Sequence, residues 1–251
     1  MRSLALRQVF LKMLGDCCLT IDGNVVDGVP AGFFRIAAYL ILSPRGAILP
    51  RQRMGSMLWS DTDYNRACAN MRQTLARIRH LQQDHNFRFI EANFSTLYLL
   101  QTHDVRSDLG DFVEHIAGER PVTTVELCAL YGGDLLAGLD EAGESYENWL
   151  SAHRDQLHIE AIDQIVAAVS PDSELSASDR AICARRLLEM DPYNEEALQV
   201  LMFEAATHRQ VKRLTNLYET MKVVLAEDLG IQPSPRTQAL YLRLMQSLTV
   251  A

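Results

Sequence analysis

Residues 61–80 read DTDYNRACANMRQTLARIRH, and this stretch decides the fold. On a helical wheel with 100° per residue, Ala67, Leu75 and Ile78 fall within about 60° of Met71 and make an apolar stripe. The opposite face carries Arg66, Ala69, Asn70, Gln73, Arg77 and His80, with Arg72 and Arg79 at its flanks. Asp61, Thr62 and Asp63 offer capping oxygens just before it, so a helix of about twenty residues is expected. The polar face is cationic and free of acids. Reading the DNA major groove needs that chemistry: arginine pairs bidentately with guanine, and asparagine or glutamine with adenine. Ala69 and Ala76 are small enough to let the backbone approach base edges. The flanking arginines can reach phosphates, which fix register without reading sequence. The competing reading is an ordinary solvated face, and the neighbouring elements weigh against it.

Upstream, Phe10–Leu14, Cys17–Ile21 and Asn24–Val26 read as strands, with Asp22-Gly23-Asn24 supplying turn residues. Ala31 to Leu42 is too long and apolar for a strand and predicts a helix, stopped by Ser43-Pro44-Arg45-Gly46. Arg51 to Trp59 predicts a short second helix. Downstream, Phe87–Glu91 and Thr96–Leu100 read as a hairpin around Ala92-Asn93-Phe94-Ser95. Strands, three helices, then a hairpin make an α+β winged helix-turn-helix with an N-terminal sheet over residues 1–103. The hairpin is either a wing touching an adjacent groove, with Arg88 as its obvious cation, or a plain edge hairpin.

Residues 104–251 read as all helix. The segments are Asp108–Ala117, Thr123–Tyr131, Ser145–Val169, Ser178–Met190, Glu195–Thr207, Val211–Glu227 and Pro235–Ser247. Gly132-Gly133, Ser170-Pro171, Asp191-Pro192, Gly230 and Pro233 separate them. The helix-pair rhythm resembles tetratricopeptide repeats, with Ala181, Ala184, Ala197 and Ala205 where paired helices approach closely. The expected second domain therefore spans residues 104–251.

Net charge is −8, but it is split. Residues 1–103 hold 12 Lys/Arg and 7 Asp/Glu, a balance of +5; residues 104–251 hold 12 and 25, a balance of −13. A basic half attracts phosphate while an acidic half avoids it. No apolar run approaches the roughly 18 residues of a membrane span. Arg2, Arg7 and Lys12 interrupt the N-terminal apolar stretch, which is unlike a signal peptide, so a cytoplasmic protein is expected. The five cysteines form no C-x-x-C pair and read as reduced, mostly buried thiols.

No phosphate-binding loop, H-E-x-x-H or G-x-S-x-G is present. Gly132-Gly133-Asp134 reads as a helix cap and turn. Asp140, Glu141, Glu144 and Glu147 read as a solvated acidic rim. An enzyme, a metal site and a cofactor are therefore not expected.

The chain resembles the SARP type of bacterial activator, which joins an OmpR-like winged helix to a bacterial transcriptional activator domain (BTAD). In the first half the resemblance rests on Leu14-Gly15, Asp22-Gly23, Leu58-Trp59 and Asn70-Met71-Arg72-Gln73 through Arg79. In the second it rests on Leu130 to Gly138 (LYGGDLLAG), Trp149-Leu150, Arg154, Leu187-Leu188, Asp191-Pro192, Glu195-Glu196-Ala197 and Leu201-Met202. It closes with Leu225, Leu229-Gly230, Pro233-Ser234-Pro235 and Thr237. The resemblance implies binding of double-stranded DNA at promoter direct repeats by a homodimer or tandem pair. It also implies contact with RNA polymerase through the turn before the recognition helix, here Ser60, Asp61, Thr62, Asp63, Tyr64 and Asn65.

One departure stands out. The family's first helix begins with basic residues that hold phosphate, whereas this one begins Ala31-Gly32-Phe33-Phe34 with Arg35 alone. The two phenylalanines are either core or a protein-contact patch. A rival reading follows, in which the winged helix binds DNA weakly or not at all and the chain is a protein-interaction module. A third reading is a ligand sensor with a pocket lined by Trp149, Tyr131 and Tyr218.

Overall fold

The computed structural model describes residues 8–100 and 104–249. Arg2 and Arg7 of the N-terminal stretch, and residue 103 at the expected domain boundary, lie outside the described residues. The fold class is the expected one: a winged helix-turn-helix of mixed α and β structure, then paired helices.

Strands β1 (Val9–Lys12), β2 (Cys18–Ile21) and β3 (Asn24–Val25) form an antiparallel meander. Leu11 faces Leu19 and Val9 faces Ile21 across the first pair, and all four are buried. Lys12 and Thr20 alternate with them at half-buried positions, the period of a one-sided sheet. Helix α1 (Ala31–Ile41) follows, then a two-residue strand β4 (Leu49–Pro50), α2 (Arg51–Leu58) and α3 (Tyr64–Asp84). Strands β5 (Ile90–Ala92) and β6 (Thr96–Leu99) complete a sheet in the order β4-β6-β5. Strand β7 (Val105–Ser107) then returns parallel to β1, giving the first sheet the order β3-β2-β1-β7.

Two strands, β4 and β7, were not legible in the sequence. The hairpin's first strand also begins at Ile90 and not at Phe87 as predicted. The reason is Gln82, a buried side chain of α3. Its Oε1 accepts the N–H groups of Phe89 and Ile90 at 2.9 Å each, and its Nε2 donates to the Ile90 carbonyl at 3.0 Å. A side chain thus satisfies the Phe89 N–H just ahead of the strand and both backbone groups of its first residue.

The remaining helices are α4 (Asp108–Ile116), α5 (Thr124–Leu130), α6 (Glu144–Val169), α7 (Ala177–Met190), α8 (Glu195–Thr207), α9 (Val211–Leu229) and α10 (Pro235–Thr249). Ser107, Ser176 and Asn194 cap α4, α7 and α8 by accepting the N–H three residues on. Gly230 ends α9 at φ +67°, the left-handed position a helix C-cap favours.

The chain divides into two compact units. One holds Met1–Pro121 with Leu130–Leu157; the other holds Val122–Ala129 with His158–Ala251. The boundary expected after residue 103 falls inside the first unit. Within that unit, residues 131–157 are built onto the winged helix by backbone bonds. Gly15 N–H donates to Asp134, and Leu136 N–H to Met13 at 2.7 Å. A Cβ at Gly132 would sit 2.7 Å from the Leu14 carbonyl, so only glycine permits this approach. Trp149 lies against Tyr39, with ring centroids 4.9 Å apart.

The second unit is a stack of helix pairs around Leu198, Met202, Leu214, Met221, Leu225 and Leu244. Ala181, Ala184, Ala197 and Ala205 are fully buried there, as their spacing predicted. The Glu195 carboxylate accepts the Ser234 N–H and hydroxyl, and Gln199 bonds Thr237 at 2.8 Å. These bonds fasten the start of α10 to α8. They give the resembling residues of that stretch a structural reason.

Of the five cysteines only Cys128 and Cys183 are buried; Cys17, Cys18 and Cys68 are half-buried. Burial pushes the Cys17 thiol up to about 12, with the Asp108 charge adding to it, so no reactive thiolate forms there at neutral pH. Among the described residues no helix is long and apolar enough to cross a membrane.

Candidate nucleic-acid interface

Helix α3 is held from three sides. Asp63 caps it, its carboxylate accepting the Arg66 N–H at 3.0 Å. Ala67, Met71, Leu75 and Ile78 are buried as the wheel predicted, and Leu81 and Gln82 join them. Helix α2 packs over Met71 and Ala67 at Gly55, where an added Cβ would stand 3.6 Å from the Met71 Cβ. On α1, Gly32 sits so close to Thr74 that an added Cβ would fall 2.5 Å from its methyl group. The sequence reading passed over Gly32, Gly55 and Gln82, although together they set how α3 is presented.

The outward face carries Arg66, Gln73 and Arg77, all exposed, with Asn70 half-buried and the small Ala69 and Ala76 open to solvent. Arg72, Arg79 and His80 are exposed as well. Among the described residues, no acid lies within ion-pair distance of Arg66, Arg72, Arg77 or Arg79, and their side chains donate no hydrogen bond. Several other cations of this half are committed. Arg45 pairs with Glu114 at 3.1 Å and Glu119 at 2.6 Å. Arg88, named from the sequence as the cation of the hairpin, pairs with Glu91 at 2.8 Å. Acids border this face at Arg77, which lines one groove with Asp61 and Glu141. Arg77 and His80 line a shallow groove of about 470 Å³ together with Asp27 and Asp84.

The start of α1 is not a phosphate grip. Phe33 and Phe34 are buried and meet edge to face at 5.7 Å, and Phe33 also packs on Phe87 at 6.2 Å. They are core, which settles that choice. The Arg35 guanidinium donates to the Leu139 carbonyl at 3.2 Å, while the Tyr146 hydroxyl donates to the Arg35 carbonyl at 3.0 Å. The one cation of this segment is thus engaged inside the protein.

The turn before α3 carries a second finding. Gly143 N–H donates to the Leu58 carbonyl at 2.8 Å, and Ser145 N–H donates to the Ser60 hydroxyl at 3.1 Å. Glu144 N–H donates to the Asp61 carboxylate at 3.3 Å. Helix α6 is therefore capped by side chains more than eighty residues earlier. A Cβ at Gly143 would sit 2.5 Å from the Ser60 nitrogen. Thr62 and Asn65 are exposed, Asp63 is spent on its own cap, and the Tyr64 hydroxyl is pushed up by its bond to the Cys68 thiol.

Asp140 and Glu147 are not a free rim: Asp140 pairs with Arg154 at 2.8 Å, and Glu147 accepts the Ala142 N–H at 2.8 Å. Trp149, Tyr131 and Tyr218 do not line one pocket. Trp149 packs on Tyr146, Tyr131 on Phe112, and Tyr218 stacks on Tyr241 in the other unit. An apolar groove lies elsewhere, about 740 Å³ in the second unit, lined by Leu188, Pro192, Leu198, Val211, Leu217 and Val224 among others. Among the described residues no group of three or more His, Cys, Asp or Glu is placed to hold a metal ion.

Residues 118–245 match the family described as the bacterial transcriptional activator domain. Over 63 residues, 25% of this chain, the sequence is 33% identical to the transcriptional regulatory protein MoaR1 of Mycobacterium bovis BCG. It matches MoaR1 of Mycobacterium tuberculosis equally. The match spans 20% of the length of those curated relatives. The fold is similar to that of Mycobacterium tuberculosis EmbR, solved in complex with a low-affinity phosphopeptide. The TM-score is 0.54 at 20% identity, over 96% of this chain and 66% of that one.

Proposed function

The chain belongs to the bacterial transcriptional activator domain family, and from that premise we propose that it is a cytoplasmic transcription regulator that binds promoter DNA by sequence. One observation carries the reading: the outward face of α3 and its flanks hold four arginines that no acid among the described residues pairs with, interleaved with Asn70 and Gln73. Arg66, Asn70, Gln73 and Arg77 take base edges in the major groove, while Arg72, Arg79 and His80 take phosphates or groove walls. The exposed Arg88 can exchange its half-buried partner Glu91 for a phosphate, because an ion pair at the surface is worth little. Two copies, as a dimer or a tandem pair, occupy a direct repeat. RNA polymerase meets the turn of Ser60, Asp61, Thr62, Asp63, Tyr64 and Asn65. Ser60 and Asp61 are already engaged in capping α6, so the contact falls mainly on Thr62, Tyr64 and Asn65.

A second reading, a protein-interaction module acting through a partner, is favoured by the engaged Arg35 and by the apolar groove of about 740 Å³ in the second unit. Selection from random duplex DNA at low salt separates the two. Enrichment of a short direct repeat supports the DNA reading. No enrichment by protein shown to be folded removes it and leaves the partner reading.

A further inference from the structure

The tip of the β5–β6 hairpin presents Phe94, whose side chain is 98% exposed. Among the described residues the next most exposed large apolar side chain, Ile48, reaches 66%. The turn that holds this ring is braced throughout. The Asn93 side-chain oxygen accepts the N–H groups of Ser95 and Thr96 at 3.0 and 2.8 Å. Asn93 N–H donates to the Thr96 carbonyl at 3.1 Å. From the first residue of α2, the Arg51 guanidinium donates to the carbonyls of Asn93 and Phe94 at 3.0 and 3.3 Å. Arg51 N–H donates to Ser95 at 2.8 Å. Six hydrogen bonds thus hold a three-residue turn whose apolar side chain contributes no packing to the fold.

The surroundings say what such a ring would meet. No acid occurs between Asp27 and Asp61, or between Glu91 and Asp104, so both segments that build the tip are acid-free. Glu91 is already paired with Arg88. Arg53 and Gln52, beside Arg51 at the start of α2, are exposed, and Arg53 has no acid partner among the described residues. An apolar ring on an acid-free tip, with an exposed arginine two residues along from the one that braces it, fits a polyanion with apolar surfaces between its charges, which is duplex DNA. Apolar side chains that enter a groove partly unstack a base step and bend the duplex. Pyrimidine–purine steps yield at the lowest cost.

We propose that Phe94 is a wedge residue: on duplex DNA its ring enters the groove next to the one read by α3 and partly unstacks a deformable step, while Arg53 holds a flanking phosphate. The wing thereby selects for deformability at a position that no hydrogen bond reads. This rests on the DNA-binding reading above.

The test uses the full chain and a duplex carrying the selected repeat, with 2-aminopurine at the pyrimidine–purine steps flanking each half-site. Wild type should raise the fluorescence at one flanking step. Phe94→Ala should abolish that rise and weaken binding about tenfold, with an unchanged salt slope, because one stacked base is lost and no charge. Phe94→Trp should keep both signals. Thermal unfolding of Phe94→Ala should match wild type, since the residue is 98% exposed. If Phe94→Ala binds and unstacks like wild type, the wedge is wrong and the DNA reading stands. The wedge is equally wrong if that variant binds normally but fails to recruit polymerase in a purified transcription assay, because the ring then sits on protein. If wild type binds no duplex at all, both proposals fall before any variant is made.

Discussion

Arginine is used in two opposite ways in the first compact unit. On α3, Arg66, Arg72, Arg77 and Arg79 are exposed and form no ion pair among the described residues. In the stretch that joins residues 131–157 to the winged helix, Arg35 and Arg154 are turned inward onto carbonyls. Arg154 donates to Leu135 and Leu136 at 2.7 and 3.0 Å and pairs with Asp140. The residue type alone does not separate the two uses; the partner does. A cation whose donors are filled by backbone oxygens holds the chain together. One whose donors are filled only by water is ready to exchange that water for a phosphate or a base.

The strongest test of the contrast lies on the inward side and need not involve an arginine. Asp108 accepts the N–H groups of Met13, Leu14 and Leu109 at 2.7–3.0 Å, in a buried position. Asp108→Ala should cost about 4 kcal/mol in urea unfolding, because three buried donors lose their acceptor at about 1–3 kcal/mol each. Burial pushes this carboxyl up to about 6 from 3.8, against the pull of its backbone donors and Lys12. The folded state therefore holds the proton in a range where the unfolded chain has released it. Stability contributed at this site falls as pH rises from about 4 to about 6, by up to about 3 kcal/mol, and is flat above. Asp108→Asn should lose that pH dependence. Unfolding at pH 4.5 and at pH 7 checks it, and equal slopes for the two proteins would remove the claim.

Arg154→Ala should come next, costing about 2 kcal/mol of stability, since two carbonyls lose a charged donor. The DNA preference of the folded fraction should not change. On the outward side the signs reverse. Gln73→Ala and Arg77→Ala should leave unfolding within about 0.5 kcal/mol of wild type. They should cost roughly 1–3 kcal/mol of binding at the preferred site only. Arg72→Ala should be the mildest, weakening all sequences alike and flattening the salt slope by about one charge. If Gln73→Ala and Arg72→Ala behaved identically, the division of α3 into a base-reading face and phosphate-reading flanks would be wrong.

The legible part of the molecule was its helices. Their apolar spacing is written within one or two turns, and Asp63, Ser107 and Asn194 mark their starts locally. The outward face of α3 was legible for the same reason. What escaped was written at long range or in too few residues. Strands β4 and β7 hold two and three residues, too short for an alternation to show. Asp108 binds a backbone 95 residues away, and Ser60 caps a helix 85 residues on, with no trace in the local sequence. Phe94 stood in plain view among turn residues. Its meaning lies in its exposure and in the brace from Arg51, which only the folded chain displays.

The capping of α6 by Ser60 and Asp61 has a consequence for how such proteins could be recombined. The family match begins at residue 118, a natural-looking point at which to splice one activator's helical domain onto another's winged helix. A graft made there would bring in a foreign 131–157 stretch to meet the resident Leu14, Tyr39, Leu58 and Ser60. The glycines at 132 and 143 fit only the backbones they now touch. The winged helix and residues 131–157 therefore have to come from the same protein. A chimera that keeps both would retain the seam, while one cut at the family boundary would inherit a mismatched one.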